Sequence, residues 1–288
     1  SKSCGRSRDH KKNVSGIWQA NILEELPDRK NMNKNEKILK EMINELEYCS
    51  SEILPSKYWE LLNKKNLNQL KEKGYKNFKR TVALNYFTWV VSPVDPQIIF
   101  LFKNLSLKNI IIAFFKTLFS KKHAPMNRLQ SWSYTFLTRL LWSYVSSLDN
   151  GKLLNRIDEP IIGNPPRVTL NGKLISQDLA NSFLEYNSIF GSKIDKSKIK
   201  TVIELGPGYG RTAYVILKLR PNVRYILVDI PPALYIAQRY FSEAFPDKKI
   251  FKFRSFRKFN EISSELEKSN VIFLLPHQLE LLPSKYVD

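Results

Sequence analysis

"VIELGPGYGR", residues 202–211, is the stretch on which the fold turns. Val202, Ile203 and Leu205 make an apolar run, and Gly206, Gly208 and Gly210 follow at alternate positions. A strand that ends in a glycine turn and opens a helix bares backbone N–H groups beside the positive end of the helix dipole. Open α/β sheets bind their ligands at that C-terminal edge. Two phosphate-binding versions of such a loop do not fit the spacing. The dinucleotide fingerprint G-x-G-x-x-G needs its third glycine where Arg211 stands, and a P-loop needs a Gly-Lys-Ser/Thr ending that is absent here.

Outward from the loop, strands and helices alternate. "TVIEL" (201–205), "VRYILVDI" (223–230), "KIFKF" (249–253) and "NVIFLL" (270–275) read as strands, separated by helices from "YGRTAYVILKLR", from "PALYIAQRYFSEAF" and from a polar segment. Alternation with continuously apolar strands predicts a parallel sheet covered on both faces. Upstream, "VTLNGKLI" places Asn171-Gly172 between two apolar runs, the strongest short hairpin signal. Ser176 is the expected N-cap of a helix through "QDLANSFLEYNSIF". The first half reads as helices: 35–52, two short ones in 55–74 closed by Gly74, and a long aromatic one in 127–151, where Trp132, Phe136, Leu140 and Leu141 recur at core-packing intervals. The expected organisation is a helical N-terminal domain (1–150), a linker with a β-hairpin (151–175) and a Rossmann-like ligand-binding domain (176–288).

The alternate glycines, with Glu204 at the strand end, resemble the first motif of class I methyltransferases that use S-adenosyl-L-methionine (SAM). In that family the acid helps hold the ammonium of SAM, and a second acid, at the end of the next strand, takes the two ribose hydroxyls. Asp229 stands there, 25 residues after Glu204. A carboxylate suits a vicinal diol because it accepts two charge-assisted hydrogen bonds; a helix cap before Pro231 is the plainer reading of Asp229 alone. The resemblance implies cofactor contacts from Glu204, Gly206, Pro207, Gly208, Tyr209, Gly210, Asp229 and Ile230. Segments 54–89 and 161–189, together with the loop and "YILVDIPPALYIAQRYF", are similar to a sugar O-methyltransferase family of bacteria, in which a helical region precedes the SAM domain. That family's sheet has seven strands; four are countable before "LPSKYVD", so the Rossmann-like domain is expected to be incomplete.

Methyl transfer from a sulfonium to a hydroxyl is an in-line displacement in which alignment does most of the work. A sugar hydroxyl also profits from a general base. His277, just after the fourth strand in "FLLPHQ", is the expected base, with a turn histidine as the plainer reading; Glu280 is a second candidate base or orienter. Asp178, Asn181 and Glu185 share a helix face by their spacing. The resemblance puts that helix beside the cofactor, which makes these three candidates to contact SAM or the acceptor, with a helix N-terminus strengthened by charge as the plainer reading of Asp178; Arg211 is a further substrate-side candidate, for which pairing with a neighbouring carboxylate is the favoured reading. "NFKRT" (77–81) and "NYFTW" (85–89) are read as substrate-side or packing residues. His10 and His123 are set aside, and no metal is expected from three unclustered histidines.

Composition narrows the remaining classes. With 288 residues, 43% hydrophobic and 12% aromatic, the chain can bury a proper core. Cys4 and Cys49 make neither a disulfide framework nor a metal spacing, which points to a reducing, cytoplasmic setting. The basic, polar start, "SKSCGRSRDHKKN", has no apolar run behind it, so no signal peptide is expected. The net charge of +19 raises nucleic acid or an anionic membrane as partners. Nucleic acid is disfavoured because the lysines are scattered and no recognition module is visible. "IIFLFKNLSLKNIIIAFFKTLFSKK" (98–122) is read as a core helix with snorkelling lysines; an interfacial helix at the inner face of an anionic membrane, with Lys116, Lys121 and Lys122 at the headgroups, is the alternative. The expected function is methylation of a sugar hydroxyl of a surface polysaccharide or glycolipid. The alternatives are an RNA methyltransferase, whose amino-methylating signature is replaced by "LLPHQL", and a non-catalytic partner with a vestigial SAM site.

Overall fold

The computed structural model describes residues 34–46, 55–86, 96–191, 195, 198–284 and 286. Cys4, His10, Cys49 and most of "NYFTW" lie outside the described residues. Helix α1 (Lys34–Glu45) buries Leu39, Met42 and Ile43, its helical-spacing stripe. Helix α2 (Lys57–Lys73) is one helix where two were expected, because Asn63, Asn66 and Leu67 fall on one buried face and carry it through its polar middle. Gly74 closes it at φ 71°, its N–H bonded to the Leu70 carbonyl. A 3₁₀ turn (Tyr75–Arg80) leads into α3 (Val82–Tyr86).

Residues 98–122 are not one core helix. They fall in α4 (Pro96–Asn104) and α5 (Leu107–Thr117), whose axes are bent by 117°, and in the turn after them. Ser106 caps α5 by accepting from the Asn109 N–H. The following α6 (Arg128–Leu148) starts at a capping box of Asn127 and Gln130. It buries Leu140 and Leu141, while Trp132 and Phe136 stack, half-buried, with centroids 5.3 Å apart.

Strands β1 (Val168–Leu170) and β2 (Lys173–Ile175) form the expected hairpin, with Asn171 and Gly172 both at positive φ (50° and 79°), the geometry of a type I′ turn. Helix α7 (Gln177–Ile189) starts at Ser176, whose Oγ accepts from the Leu179 N–H at 3.0 Å. Helix α6 is tied to this start by Trp142 Nε1, which donates to the Ser176 carbonyl at 2.7 Å.

The α/β part then runs β3 (Thr201–Leu205), α8 (Arg211–Leu219), β4 (Arg224–Val228), α9 (Ala233–Ala244), β5 (Ile250–Phe251), α10 (Ser263–Lys268), β6 (Val271–Leu274) and α11 (Pro276–Leu279). The four strands make a parallel sheet in the order β3-β4-β6-β5. The chain is therefore α/β with a parallel sheet, compatible with a Rossmann-like fold. The doubly wound order keeps the first strand interior; here β3 is an edge strand, and the far half of the sheet is thin because β5 pairs over two residues. Period-two alternation splits the sheet's faces. Tyr225, Leu227 and Phe273 join a core that continues through Phe241, Phe183 and Trp142 to Phe78 and Met42 in the helical part. Ile226, Val228, Ile272 and Leu274 face a smaller core with Phe256, Ile262 and Leu266.

Candidate functional site

Because β3 and β4 pair in register, Leu205 opposite Val228, the glycine loop after one and the acid after the other emerge side by side. The Gly206 N–H bonds the Val228 carbonyl at 2.8 Å, and the Gly208 N–H donates to Asp229 Oδ2 at 2.9 Å. Asp229 Oδ1 accepts from the Ile230 N–H at 2.7 Å. Burial is the largest influence on this carboxyl; it outweighs the two N–H donors, and with a smaller push from Glu204 raises the pKa to about 7. Two of the carboxylate's four lone-pair sites are taken, which leaves two for a ligand.

All three glycines take positive φ (70°, 61° and 85°), and Gly210 opens α8 as its N-cap. The loop and Asp229 line a cavity of about 910 Å³, to which Gly206, Pro207, Gly208, Tyr209 and Ile230 contribute; Gly210 does not. Glu204 lines it too. Its carboxylate accepts from Tyr225 Oη at 2.9 Å, and burial raises its pKa against that hydrogen bond and the nearby Arg211. Glu185 and Arg211 complete the ionic lining as a pair: Arg211 reaches Glu185 at 2.5 Å and Ser182 at 2.9 Å, and Thr212 donates to the other Glu185 oxygen. In a chain of net charge +19, this cavity gathers three carboxylates and one guanidinium.

Not every expected residue is there. Asp178 faces away, accepting from Tyr209 Oη at 2.6 Å beside a separate void of about 30 Å³, and Asn181 lines neither space. His277 also points elsewhere, although its neighbours Pro276 and Leu279 line the cavity. Its Nε2 lies 3.5 Å from Glu45 Oε1, in a cluster where Glu45 also takes Ser255 and Arg257. Burial lowers the His277 pKa, Glu45 opposing. Burial would raise Glu45, but the bonds from Ser255 and Arg257 outweigh it and hold its pKa low. His277 thus ties α11 to α1, and the expected base is not at the site. Glu280 is exposed, at the C-cap of α11, and does not line the cavity either.

The opposite wall comes from the helical part, where Asn85 belongs to the segment 85–89 read as substrate-side or packing, while Tyr58, Trp59 and Asn63 were not singled out. Tyr58 and Trp59, adjacent on α2, pack edge to face with centroids 5.3 Å apart and remain 64% and 42% exposed. Asn63 and Asn85 line the same wall. Asn63 is 1% exposed and its Nδ2 has no hydrogen-bond partner among the described residues, while Asn85 Nδ2 donates to Asn66 and Gln69, each at 2.6 Å. A signal was present in "KYWELLNKKN": two aromatics beside a lysine on a polar helix have no core to enter. "NFKRT", by contrast, is a joint. Asn77 accepts from Asn164, Arg80 donates to the carbonyls of Asn164, Pro165 and Ala124, and Lys79 pairs with Glu159. Among the described residues, no three His, Cys, Asp or Glu side chains gather as a metal site would require. Comparison with known proteins returns no matching family model, no matching curated protein and no matching solved structure.

Proposed function

We infer that the chain is a SAM-dependent O-methyltransferase whose acceptor is a sugar hydroxyl. The observation that carries the reading is the charge of the cavity against the charge of the chain. Among the described residues the lining holds Glu185, Glu204 and Asp229 against one positive group, Arg211, and that guanidinium is paired with Glu185. That lining repels a nucleotide phosphate and suits a ligand carrying a sulfonium and an ammonium. Asp229, with two acceptor sites left, fits a ribose diol; Glu204 fits an ammonium; Gly206 and Gly208 leave their Cα sides open, so a ligand can lie on the bare backbone. When bound, SAM would supply the methyl group as an electrophile.

The protein's part is alignment. His277 is turned to Glu45, and with Asp229 taken up by the diol, Glu185 and Glu204 are the described cavity carboxylates left to accept a proton. The acceptor side is supported by Tyr58 and Trp59, since sugars present C–H faces to aromatic rings, and by the amides of Asn63 and Asn85, which match hydroxyl groups.

Calorimetric titration with SAM and S-adenosylhomocysteine tests the reading. Asp229→Ala should weaken both by at least about tenfold, since each hydrogen bond to a charged group contributes about 1.5–3 kcal/mol. The pH dependence has a definite sign. With its pKa raised to about 7, unliganded Asp229 holds a proton at lower pH, and a diol seeking two acceptor sites binds the ionised form. Affinity should therefore rise as pH climbs through 7 and fall by up to about tenfold per unit below it, with proton release on binding. Binding of neither ligand at pH 8 would overturn the cofactor; binding with no methyl transfer to any glycan would overturn the acceptor.

A further inference from the structure

We propose that α4, α5 and the turn after them form a docking surface for an anionic lipid bilayer, a role independent of what the cavity binds. The two helices carry large apolar side chains on both their inner and their outer sides. Their inner sides, Ile98, Leu101, Leu105 and Ala113, are buried. Their outer sides present Phe102, Leu107, Ile111, Phe115, Leu118 and Phe119 to solvent, with Leu107 71%, Phe115 62% and Phe119 93% exposed. Continuous apolar patches of this kind on an isolated chain mark interaction surfaces.

Charge says which partner. From Pro96 to Leu148 the chain has seven Lys or Arg residues and no Asp or Glu. Lys103, Lys108, Lys116, Lys121 and Lys122 are exposed among the outward apolar side chains. A protein partner for such a surface must bring both acids and apolar groups in register; an anionic leaflet offers both without register. Apolar side chains then enter the acyl boundary while lysine stems reach the headgroups. Geometry favours lying on the bilayer over crossing it. No single helix among the described residues is long and apolar enough to cross, and the pair is bent by 117°. At 1.5 Å per residue the longer arm is about 17 Å, against about 30 Å of hydrocarbon. The platform is also held to the fold, since Arg139 of α6 donates to the Lys116 carbonyl and to Thr117 Oγ1.

The test is flotation of the full chain with vesicles of phosphatidylcholine alone, and of phosphatidylcholine and phosphatidylglycerol in equal parts. The wild type should float with the mixed vesicles and only weakly with the neutral ones. Phe115→Ser/Phe119→Ser, which keeps the charge, should lose about tenfold or more in partitioning. Lys121→Gln/Lys122→Gln should lose about fivefold per lysine, and Lys64→Gln/Lys65→Gln, the same charge removed from exposed positions of α2, should bind as the wild type. Three results would overturn the proposal. One is equal loss in the two lysine pairs, which would mean that net charge alone drives binding. Another is a phenylalanine pair that floats unchanged, or that melts markedly lower than the wild type because its side chains are covered in solution. The last is absence of vesicle binding beside a dimer that the phenylalanine pair dissociates, which would give the surface to a second copy of the chain.

Discussion

Lys79→Met should destabilise the fold by about 3–5 kcal/mol, the cost of leaving one charge of a buried pair without its partner. Lys79 and Glu159 are each nearly inaccessible, with side chains 4% and 3% exposed. The ammonium binds the carboxylate, lies 3.4 Å from the Pro160 carbonyl, and sits 4.8 Å from the centroid of Tyr240 and 5.4 Å from that of Tyr209. Glu159 in turn accepts from Ser176 Oγ at 2.5 Å, the same hydroxyl that caps α7. One ion pair therefore joins three things: the 3₁₀ turn leading to Ala83 and Asn85 of the cavity wall, the segment before the hairpin, and the start of the helix that carries Glu185. Methionine fills much of the lysine's volume and satisfies none of this, so Glu159 is stranded. Against a typical stability of about 5–15 kcal/mol, such a loss is a large share. Adding Glu159→Gln removes the stranded charge while keeping an acceptor for Ser176, so the double variant should recover a good part of the loss in urea unfolding. A single variant within about 1 kcal/mol of wild type would mean that the pair is solvated in solution.

Local signals carried most of the fold's legibility. The hairpin, the Ser176 cap, the bounds of β3 and the loop geometry are each decided within a few residues, by a hydroxyl three positions from an N–H or by two residues at positive φ. What failed depends on distant residues. His277 stands after the fourth strand as a base would, but the group that captures it, Glu45, is 232 positions away in another helix. Residues 98–122 carry apolar residues on both the buried and the exposed sides, so the apolar pattern alone does not say which of them pack on α6 and which meet solvent. Strand order is equally non-local: the alternation of strands and helices is the same whichever neighbour β6 takes. The cavity's helical wall was legible only in part for a related reason: Asn85 fell in a segment read as substrate-side or packing, but Tyr58 and Trp59 acquire meaning only when the helical part folds over the loop.

Gly208 and Gly210, two positions apart, should answer differently to the same substitution. A Cβ at Gly210 would lie 2.5 Å from Phe241 Cε2 and 3.1 Å from Leu227 Cδ2, at φ 85°. Phe241 cannot swing away: its ring is fully buried, among Tyr240, Phe245 and Phe273 at 5.5–5.8 Å between centroids. Gly210→Ala thus adds overpacking of about 1–3 kcal/mol to a left-handed penalty of about 1–2 kcal/mol. It should lower the melting temperature by many degrees with or without ligand. A Cβ at Gly208 meets nothing within 4 Å and enters the space that the cofactor reading fills. Gly208→Ala should therefore cost only the left-handed penalty in stability, while SAM binding falls by far more than that strain explains. The comparison separates the roles of the loop because both variants place a side chain at positive φ (61° and 85°), while only one of the new methyl groups meets packed atoms. If Gly208→Ala binds SAM as the wild type does while Gly210→Ala unfolds, the loop is a packing device, and the ligand the cavity accepts does not lie on it.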